Sequence, residues 1–332
     1  MNAQADQGAD HVLKRIRAVG FEETYNTSEM LDKLAELADG SYSGLNSEGL
    51  AGEDEYPVLD GTLNVHTNAY EDAVEALKSK FKRLTLNITG AFYVRFRDKD
   101  VRDICASLWG DGVGVTKSKL ATVTTISSST FQNNDKIEDF SDFAELFLNC
   151  DLIEYRAFYN CTNLKSISFP NNIVINAESF RNCPNLDFQL PIGCTLWSQC
   201  FANTGIVNLY IPKETKYTQA SQFSECKKLE NIILEEGCTI VTDSEFNGCK
   251  NLQNVTLPST ITDIKSGAFW GTESLQNFVI KTITPPDLGS VAFANSGTNL
   301  KIYVPDASVE AYKTATNWSA YASRIYPLSK KN

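Results

Sequence analysis

The side chains that carry out enzyme chemistry are few and scattered in this sequence of 332 residues. Nucleophilic catalysis needs a base beside a serine, threonine or cysteine, and the two histidines, His11 and His66, have no matching motif around them. The signatures of serine hydrolases, phosphate-binding loops, zinc proteases and dinucleotide-binding folds do not occur. Nothing places two of the 41 acidic residues in one cleft, as glycoside cleavage requires. We therefore predict that the protein is not an enzyme and uses no cofactor.

A repeat of phenylalanines organises the chain instead. Seven of them recur at intervals of 22, 21, 22, 23, 23 and 24 residues: Phe158, Phe180, Phe201, Phe223, Phe246, Phe269 and Phe293. The residue five positions before each Phe is apolar in six of the seven units, with Thr218 as the exception, and the residue three positions after it is always small. Fixed periods of this length are typical of solenoids. The Phe column is therefore predicted to be the internal spine of a solenoid of about seven coils over residues 151–305.

The cysteines follow the same repeat. Cys161, Cys183, Cys226 and Cys249 share one repeat position, and Cys194 and Cys238 share another. Stacked coils bring equivalent positions to about strand-to-strand distance, roughly 4.8 Å, and a free cysteine packs as a small apolar residue. We predict a ladder of buried thiols. No C-x-x-C pair occurs, so no metal site is predicted; disulfides in an exported protein are the alternative.

Each unit ends in a short strand of three residues, in which the first and third are apolar and the middle one varies. Proline follows five of the seven strands, which are Ile167–Phe169, Phe188–Leu190, Leu209–Ile211, Ile232–Leu234, Val255–Leu257, Phe278–Ile280 and Ile302–Val304. Alternation points the flanking residues inward and the middle residue outward. The outward row is Ser168, Gln189, Tyr210, Ile233, Thr256, Val279 and Tyr303. Its last five members are the predicted binding face; ordinary β-propensity is the alternative explanation for their residue types.

This pattern closely resembles the BspA-type leucine-rich repeat, most clearly in Ile264–Phe269 and in Phe246–Pro258. The resemblance covers residues 150–305 and implies a solenoid of short strands joined by turns. It departs from the pattern in the fourth unit, at Thr218 and at Glu235, where other units have proline, and a distorted coil is expected there. The resemblance extends to surface proteins of gut Bacteroidales and to virion proteins of their phages.

The flanking segments complete the predicted architecture. Residues 61–150 are expected to form a small α+β entry module, with a helix over residues 98–109 that ends at a glycine-rich turn containing Asp111. In the related family that turn can bind Ca²⁺, but a single acidic residue is too few ligands here. Residues 306–332 are predicted to close the solenoid with a helix over 308–318, since an open last coil exposes its core. An aromatic ligand platform is the alternative for this segment.

The net charge of −11 is concentrated in residues 1–60, which hold 13 Asp and Glu against 4 Lys and Arg. This segment is predicted to be an acidic arm, with a short helix over residues 28–40, that serves attachment or assembly. No basic stripe occurs, which argues against nucleic-acid binding. No run of about 18 apolar residues occurs, which argues against membrane insertion. The first seven residues lack the features of a secretory signal.

These observations and the resemblance lead to two functional predictions. The first is a structural or adhesive virion protein of a Bacteroidales phage, such as a fibre, decoration or collar component, that contacts other virion proteins or copies of itself through the arm. A host cell-surface protein or glycan is a further possible partner. The alternative is a BspA-like adhesin on the bacterial cell surface whose signal has been removed.

Overall fold

The computed structural model describes residues 61–65, 69–70, 84–88 and 92–331. The predicted acidic arm over residues 1–60, with its short helix, lies outside the described residues. The chain divides into two compact units, residues 1–120 and residues 121–332.

The first unit contains four short strands and two helices within its described part. Strand β1 (Gly61–Val65) pairs in parallel with β3 (Leu84–Ile88), and β2 (Ala69–Tyr70) pairs in parallel with β4 (Phe92–Tyr93). Helix α1 (Lys99–Trp109) begins at Asp98, whose carboxylate accepts hydrogen bonds from the amides of Asp100 and Val101, and ends at Gly110. Helix α2 is Lys117–Leu120. The helix predicted before the glycine-rich turn is therefore confirmed.

The second unit is a parallel β-solenoid whose coils contribute strands to two sides. On one side lie two-residue strands, named here the narrow sheet: β5 (Thr125–Ile126), β7 (Leu152–Ile153), β9 (Val174–Ile175), β10 (Thr195–Leu196) and β12 (Lys216–Tyr217), followed by β14 (Ile240–Val241), β16 (Asp263–Ile264) and β18 (Asp287–Leu288). Each pairs in parallel with its neighbour in register, except that β12 does not pair with β14.

On the other side lie longer strands, named here the wide sheet: β11 (Asn208–Ile211), β13 (Asn231–Leu234), β15 (Asn254–Leu257), β17 (Asn277–Ile280), β19 (Lys301–Val304) and β20 (Ile325–Pro327). Two earlier strands on the chain, β6 (Asp139–Phe140) and β8 (Ser166–Ile167), pair separately. The strands predicted over 167–169 and 188–190 are shorter than expected. The first ends at Ile167, and the second is reduced to one bridge between Ser166 and Asp187.

The phenylalanine spine forms the core. All seven predicted rings are buried, and successive rings stack nearly parallel with centroids 4.8 to 5.8 Å apart. An eighth ring, Phe131, stacks on Phe158 at 4.6 Å. Stacking thus begins before residue 151, where the entry module was expected to give way to the solenoid. The coil of Phe131 was missed because helix α3 (Phe143–Leu146) lengthens it to 27 residues.

Turns beside the spine require an unusual backbone conformation. The residue two positions after each ring has a φ between 55° and 74°, the left-handed region, in every coil: Asn133, Asn160, Asn182, Asn203, Glu225, Gly248, Gly271 and Asn295. Asn and Gly adopt this region at the lowest cost. Their recurrence after the spine phenylalanine therefore has a conformational cause.

A C-terminal cap closes the last coil. It contains helix α4 (Val309–Thr314) between two 3₁₀ segments, Asp306–Ser308 and Trp318–Arg324, and ends in a third, Leu328–Lys330. A C-terminal helix was predicted, but α4 ends four residues early because Ala315 is extended and Asn317 is left-handed at φ 63°. Tyr312 and Trp318 are fully buried in this cap. None of the helices in the described residues is long and apolar enough to cross a membrane.

Candidate contact surface

The predicted binding face lies along the wide sheet, one residue per coil. Tyr210, Ile233, Thr256, Val279 and Tyr303 are direct neighbours in the parallel register. Tyr210 is 44% exposed, Ile233 is 50% exposed, and Thr256 is half-buried. These three side chains point outward, as the alternation of the strand predicts.

Val279 and Tyr303 correct this prediction, because they are only 4% and 6% exposed. Strand β20 extends the wide sheet beyond β19, and the ring of Tyr326 on β20 lies 6.3 Å from the ring of Tyr303. Val279 is the smaller neighbour of Tyr303 in the register. Strand alternation gives the direction of a side chain, but it does not reveal how far larger neighbours cover it. The accessible part of the row is therefore at Tyr210, Ile233 and Thr256.

Polar groups border this accessible part. Partial burial and the nearby carboxylates of Glu235 and Glu214 raise the pKa of Tyr210, so its hydroxyl stays protonated and can donate a hydrogen bond. The ammonium of Lys213 lies 3.8 Å from Glu214 and 3.7 Å from Glu235. The surface at Tyr210 thus combines an apolar ring with a hydroxyl donor and charges of both signs.

An asparagine ladder fixes the spacing of the row. Asn231, Asn254 and Asn277 each donate from Nδ2 to the Oδ1 of the asparagine in the preceding coil, at 2.6, 2.8 and 2.9 Å. The ladder begins at Asn208, and all four residues open wide-sheet strands. Because each amide is both donor and acceptor, the ladder holds four successive coils in register. The ladder was visible in the sequence as an asparagine directly before four of the predicted strands, but this pattern was not used in the prediction.

A shallow cleft of about 540 Å³ lies at the N-terminal end of the row. It lies between two segments of the coils that precede strand β11. The row residues Ser168 and Gln189 line it, together with Ile167, Phe169, Asn171, Asp187, Phe188, Leu190 and Pro191. Small or polar outward residues in these coils leave the recess open.

All nine cysteines are buried thiols that take part in no disulfide. Those at the repeat position after the spine donate their S–H to the carbonyl of a spine phenylalanine in the preceding coil: Cys161 to Phe131 at 3.0 Å, Cys183 to Phe158 at 3.1 Å, Cys226 to Phe201 at 3.2 Å and Cys249 to Phe223 at 3.2 Å. Burial raises the pKa of the Cys183 and Cys249 thiols well above their usual value. A protonated, enclosed thiol is a poor nucleophile and a poor metal ligand.

Metal-ligating chemistry is not assembled in the described residues, which contain no group of three or more His, Cys, Asp or Glu side chains placed to hold an ion. In the glycine-rich turn, Asp111 accepts hydrogen bonds from the hydroxyl of Tyr93 and from the amides of Val113 and Gly114. These bonds, that of Tyr93 foremost, lower the pKa of Asp111. The carboxylate therefore stabilises the turn itself.

Comparison with known protein families agrees with the coil geometry. The sequence model of the BspA-type leucine-rich repeat region matches in six copies, over residues 113–198 and 195–316. The chain belongs to this family. The match confirms the resemblance and extends it at both ends, in keeping with the additional coil at Phe131. A search of curated proteins gave no match.

Several solved structures are similar to this chain. A leucine-rich repeat protein from Bacteroides ovatus is 23% identical, with a TM-score of 0.45, over 56% of this chain and 48% of its own. The chain thus spans about half the length of that protein. A leucine-rich cell surface protein from Faecalibacterium prausnitzii is 18% identical, with a TM-score of 0.38, over 80% of this chain and 74% of its own.

Proposed function

We propose that this BspA-type protein is a non-enzymatic binding protein of the adhesive kind, and that its contact surface is centred on Tyr210 and Ile233. The observation that carries the proposal is the adjacency of two large apolar side chains, exposed at 44% and 50%, in one parallel register. Solenoids generally present extended binding surfaces of this kind. Contact sites on proteins are enriched in exposed apolar and aromatic side chains with polar neighbours.

The proposed contact surface is narrower than the sequence predicted. Tyr210, Ile233 and Thr256 form it. Val279 and Tyr303 continue the same row as buried residues and are left out of it. The alternative explanation, β-propensity alone, gives Tyr210 and Ile233 a role in strand packing and none in contact.

Substitution separates the two explanations. The double variant Tyr210→Ser with Ile233→Thr should keep the melting temperature of the parent within a few degrees, because both side chains face solvent, and should lose attachment to partner cells or particles. The matched control is Trp270→Ser with Val291→Ser, which removes apolar side chains exposed at 40% and 45% outside the wide sheet. If the variant Tyr210→Ser with Ile233→Thr attaches as well as the parent chain, this surface is not the contact.

We place this contact on a Bacteroidales phage virion, with the acidic residues 1–60 attaching the chain to other virion proteins or to copies of itself. The supporting observation is the charge of that segment, 13 acidic residues against 4 basic ones. A bacterial cell surface is the alternative location, and a host cell-surface protein or glycan is the proposed external partner in either case. Mass spectrometry of purified virions and of bacterial outer-membrane fractions separates the two locations. Detection only in membranes, with a longer precursor, would end the virion proposal.

A further inference from the structure

The narrow sheet is interrupted once within residues 121–331, between β12 and β14, and the repeat changes at the same place. The residue before the spine phenylalanine is small in the other coils from Phe158 onward: Ala157, Ser179, Cys200, Ala268 and Ala292. On either side of the interruption it is Gln222 and Glu245, both buried. The inward strand position, aliphatic in the other coils, is Tyr217, which pairs with Leu196 in the register.

Glu245 replaces one backbone hydrogen bond of the narrow sheet. In other coils the amide of the residue after the narrow strand donates to a carbonyl of the preceding coil, as Asn176 does to Ile153 and Lys265 to Val241, both at 2.9 Å. The equivalent amide, that of Thr242, donates instead to Oε2 of Glu245 at 2.7 Å. The backbone bond between coils is thereby replaced by a bond within one coil, while the Thr242 hydroxyl still links the two coils by donating to Oε1 of Gln222 at 3.0 Å.

The spine shows little separation at this step: the centroids of Phe223 and Phe246 lie 5.8 Å apart, against 5.4 to 5.6 Å at three other steps. Oε1 of Glu245 and the hydroxyl oxygen of Tyr217 are enclosed and face each other, and neither makes a hydrogen bond of normal geometry with any described residue. Enclosed polar atoms without a hydrogen bond of normal geometry destabilise the closed arrangement.

We propose that Tyr217, Gln222, Thr242 and Glu245 form a joint at which the solenoid opens between two coils. The wide sheet is continuous at this step, since β13 pairs with β15, and it serves as the hinge. The opening is on the side of the narrow sheet, where the pairing between strands is absent. It breaks the bonds that still join the two coils there, from the amides of Ser221, Phe223 and Glu225 to the carbonyls of the next coil. This inference is independent of the contact surface proposed above.

The joint responds to pH through Glu245. The titratable groups that face it are the hydroxyl of Tyr217, on β12, and the thiol of Cys238, ahead of β14, and neither is a cation. Burial raises the pKa of Glu245 from 4.5 to about 7. In the open form the carboxyl regains water and its ordinary pKa. Ionisation therefore favours the open form, and opening increases as the pH rises through 7.

Hydrogen exchange of the intact chain at pH 6 and pH 8 tests the joint. Protection factors remove the intrinsic pH dependence of exchange, so they report opening itself. The amides of residues 221–225 donate across the joint, and their protection should fall about tenfold from pH 6 to pH 8, the change expected for a carboxyl with a pKa of 4.5 when open and about 7 when closed. Residues 244–248, the same segment one coil later, should show no such fall. An equal response in both segments would overturn the proposal.

Variants extend the test. Tyr217→Leu with Glu245→Ala restores the residue types of the other coils, and should raise the protection of residues 221–225 and remove its pH dependence. Ser179→Ala, at the same repeat position where β9 and β10 pair, should keep that dependence. If protection in Glu245→Gln falls between pH 6 and pH 8 as much as in the parent chain, another group causes the effect and the proposal is rejected. The measurement on the parent chain stands on its own if a variant fails to fold.

Discussion

Phe246 illustrates how a single residue acts in this solenoid. Its ring is fully buried between Phe223, 5.8 Å away, and Phe269, 5.5 Å away. Phe246→Ala should lower the free energy of unfolding by about 3 to 5 kcal/mol, because it leaves a cavity that rigid neighbours cannot fill. Lys250→Ala, the control, removes only an exposed ion pair with Glu273 and should change little. Equal melting temperatures for the two variants would show that the Phe column is not the spine.

Glu245 gives a second prediction at the scale of one residue. Its pKa is raised from 4.5 to about 7, so its stabilising contribution is complete below pH 4.5 and is lost as the pH rises through 7. Glu245→Gln cannot ionise, and at pH 8 it should be more stable than the parent by about 3 kcal/mol. Urea unfolding from pH 5 to pH 8 measures this difference. A constant offset between the two proteins over that range would contradict the prediction.

The buried thiols give a third prediction for individual residues. Burial raises the pKa of Cys194 and of Cys238 to about 11, so little thiolate is present at pH 8. Alkylation of the native protein should be slow, and denatured, unreduced protein should show nine alkylated cysteines by mass spectrometry. Disulfides in that sample would contradict the thiol ladder.

At the scale of elements, the C-terminal cap is the part on which the last coil depends. Trp318 donates from Nε1 to the Pro286 carbonyl at 2.8 Å, and the Tyr312 hydroxyl donates to the Thr282 carbonyl at 3.0 Å. Strand β20 covers the edge of β19. A chain ending at Pro305 exposes that edge and should self-associate. Light scattering after size exclusion should show a larger particle than for a chain lacking only residues 331–332; equal particle masses and melting temperatures would argue against a capping role.

Elements also show what the sequence could and could not predict. The spine was predictable because only a large apolar side chain fills the centre of each coil. The inward residue of the fourth unit was assigned to Thr218 by counting five positions back from Phe223, which was wrong, since the register places Tyr217 there. The turn between this strand and Phe223 has one residue more than in the other coils, so a fixed spacing assigns the wrong residue. The distortion expected in this coil is present as the break between β12 and β14, while Glu235 itself extends the wide sheet, since its amide donates to the Ile211 carbonyl at 3.0 Å.

At the scale of the whole molecule, the repeat separates stability from contact. The spine, the thiols and the asparagine ladder act between neighbouring coils, so their effects stay local in a nearly one-dimensional array. Surface positions are then free to differ from coil to coil, and the row runs from small and polar at Ser168 to large and exposed at Tyr210 and Ile233. An unaltered fold with a varied surface is what a binding scaffold requires.

Selective blocking of the row tests the proposed function most directly. The native thiols are all buried, so a cysteine introduced by Tyr210→Cys can be labelled alone with a bulky polyethylene glycol maleimide. The same label on Trp270→Cys, which replaces a residue 40% exposed outside the wide sheet, is the control. We expect the label at position 210 to abolish attachment to partner cells or particles and the label at position 270 to leave attachment intact. Attachment at the parental level with position 210 fully labelled would contradict the proposed function.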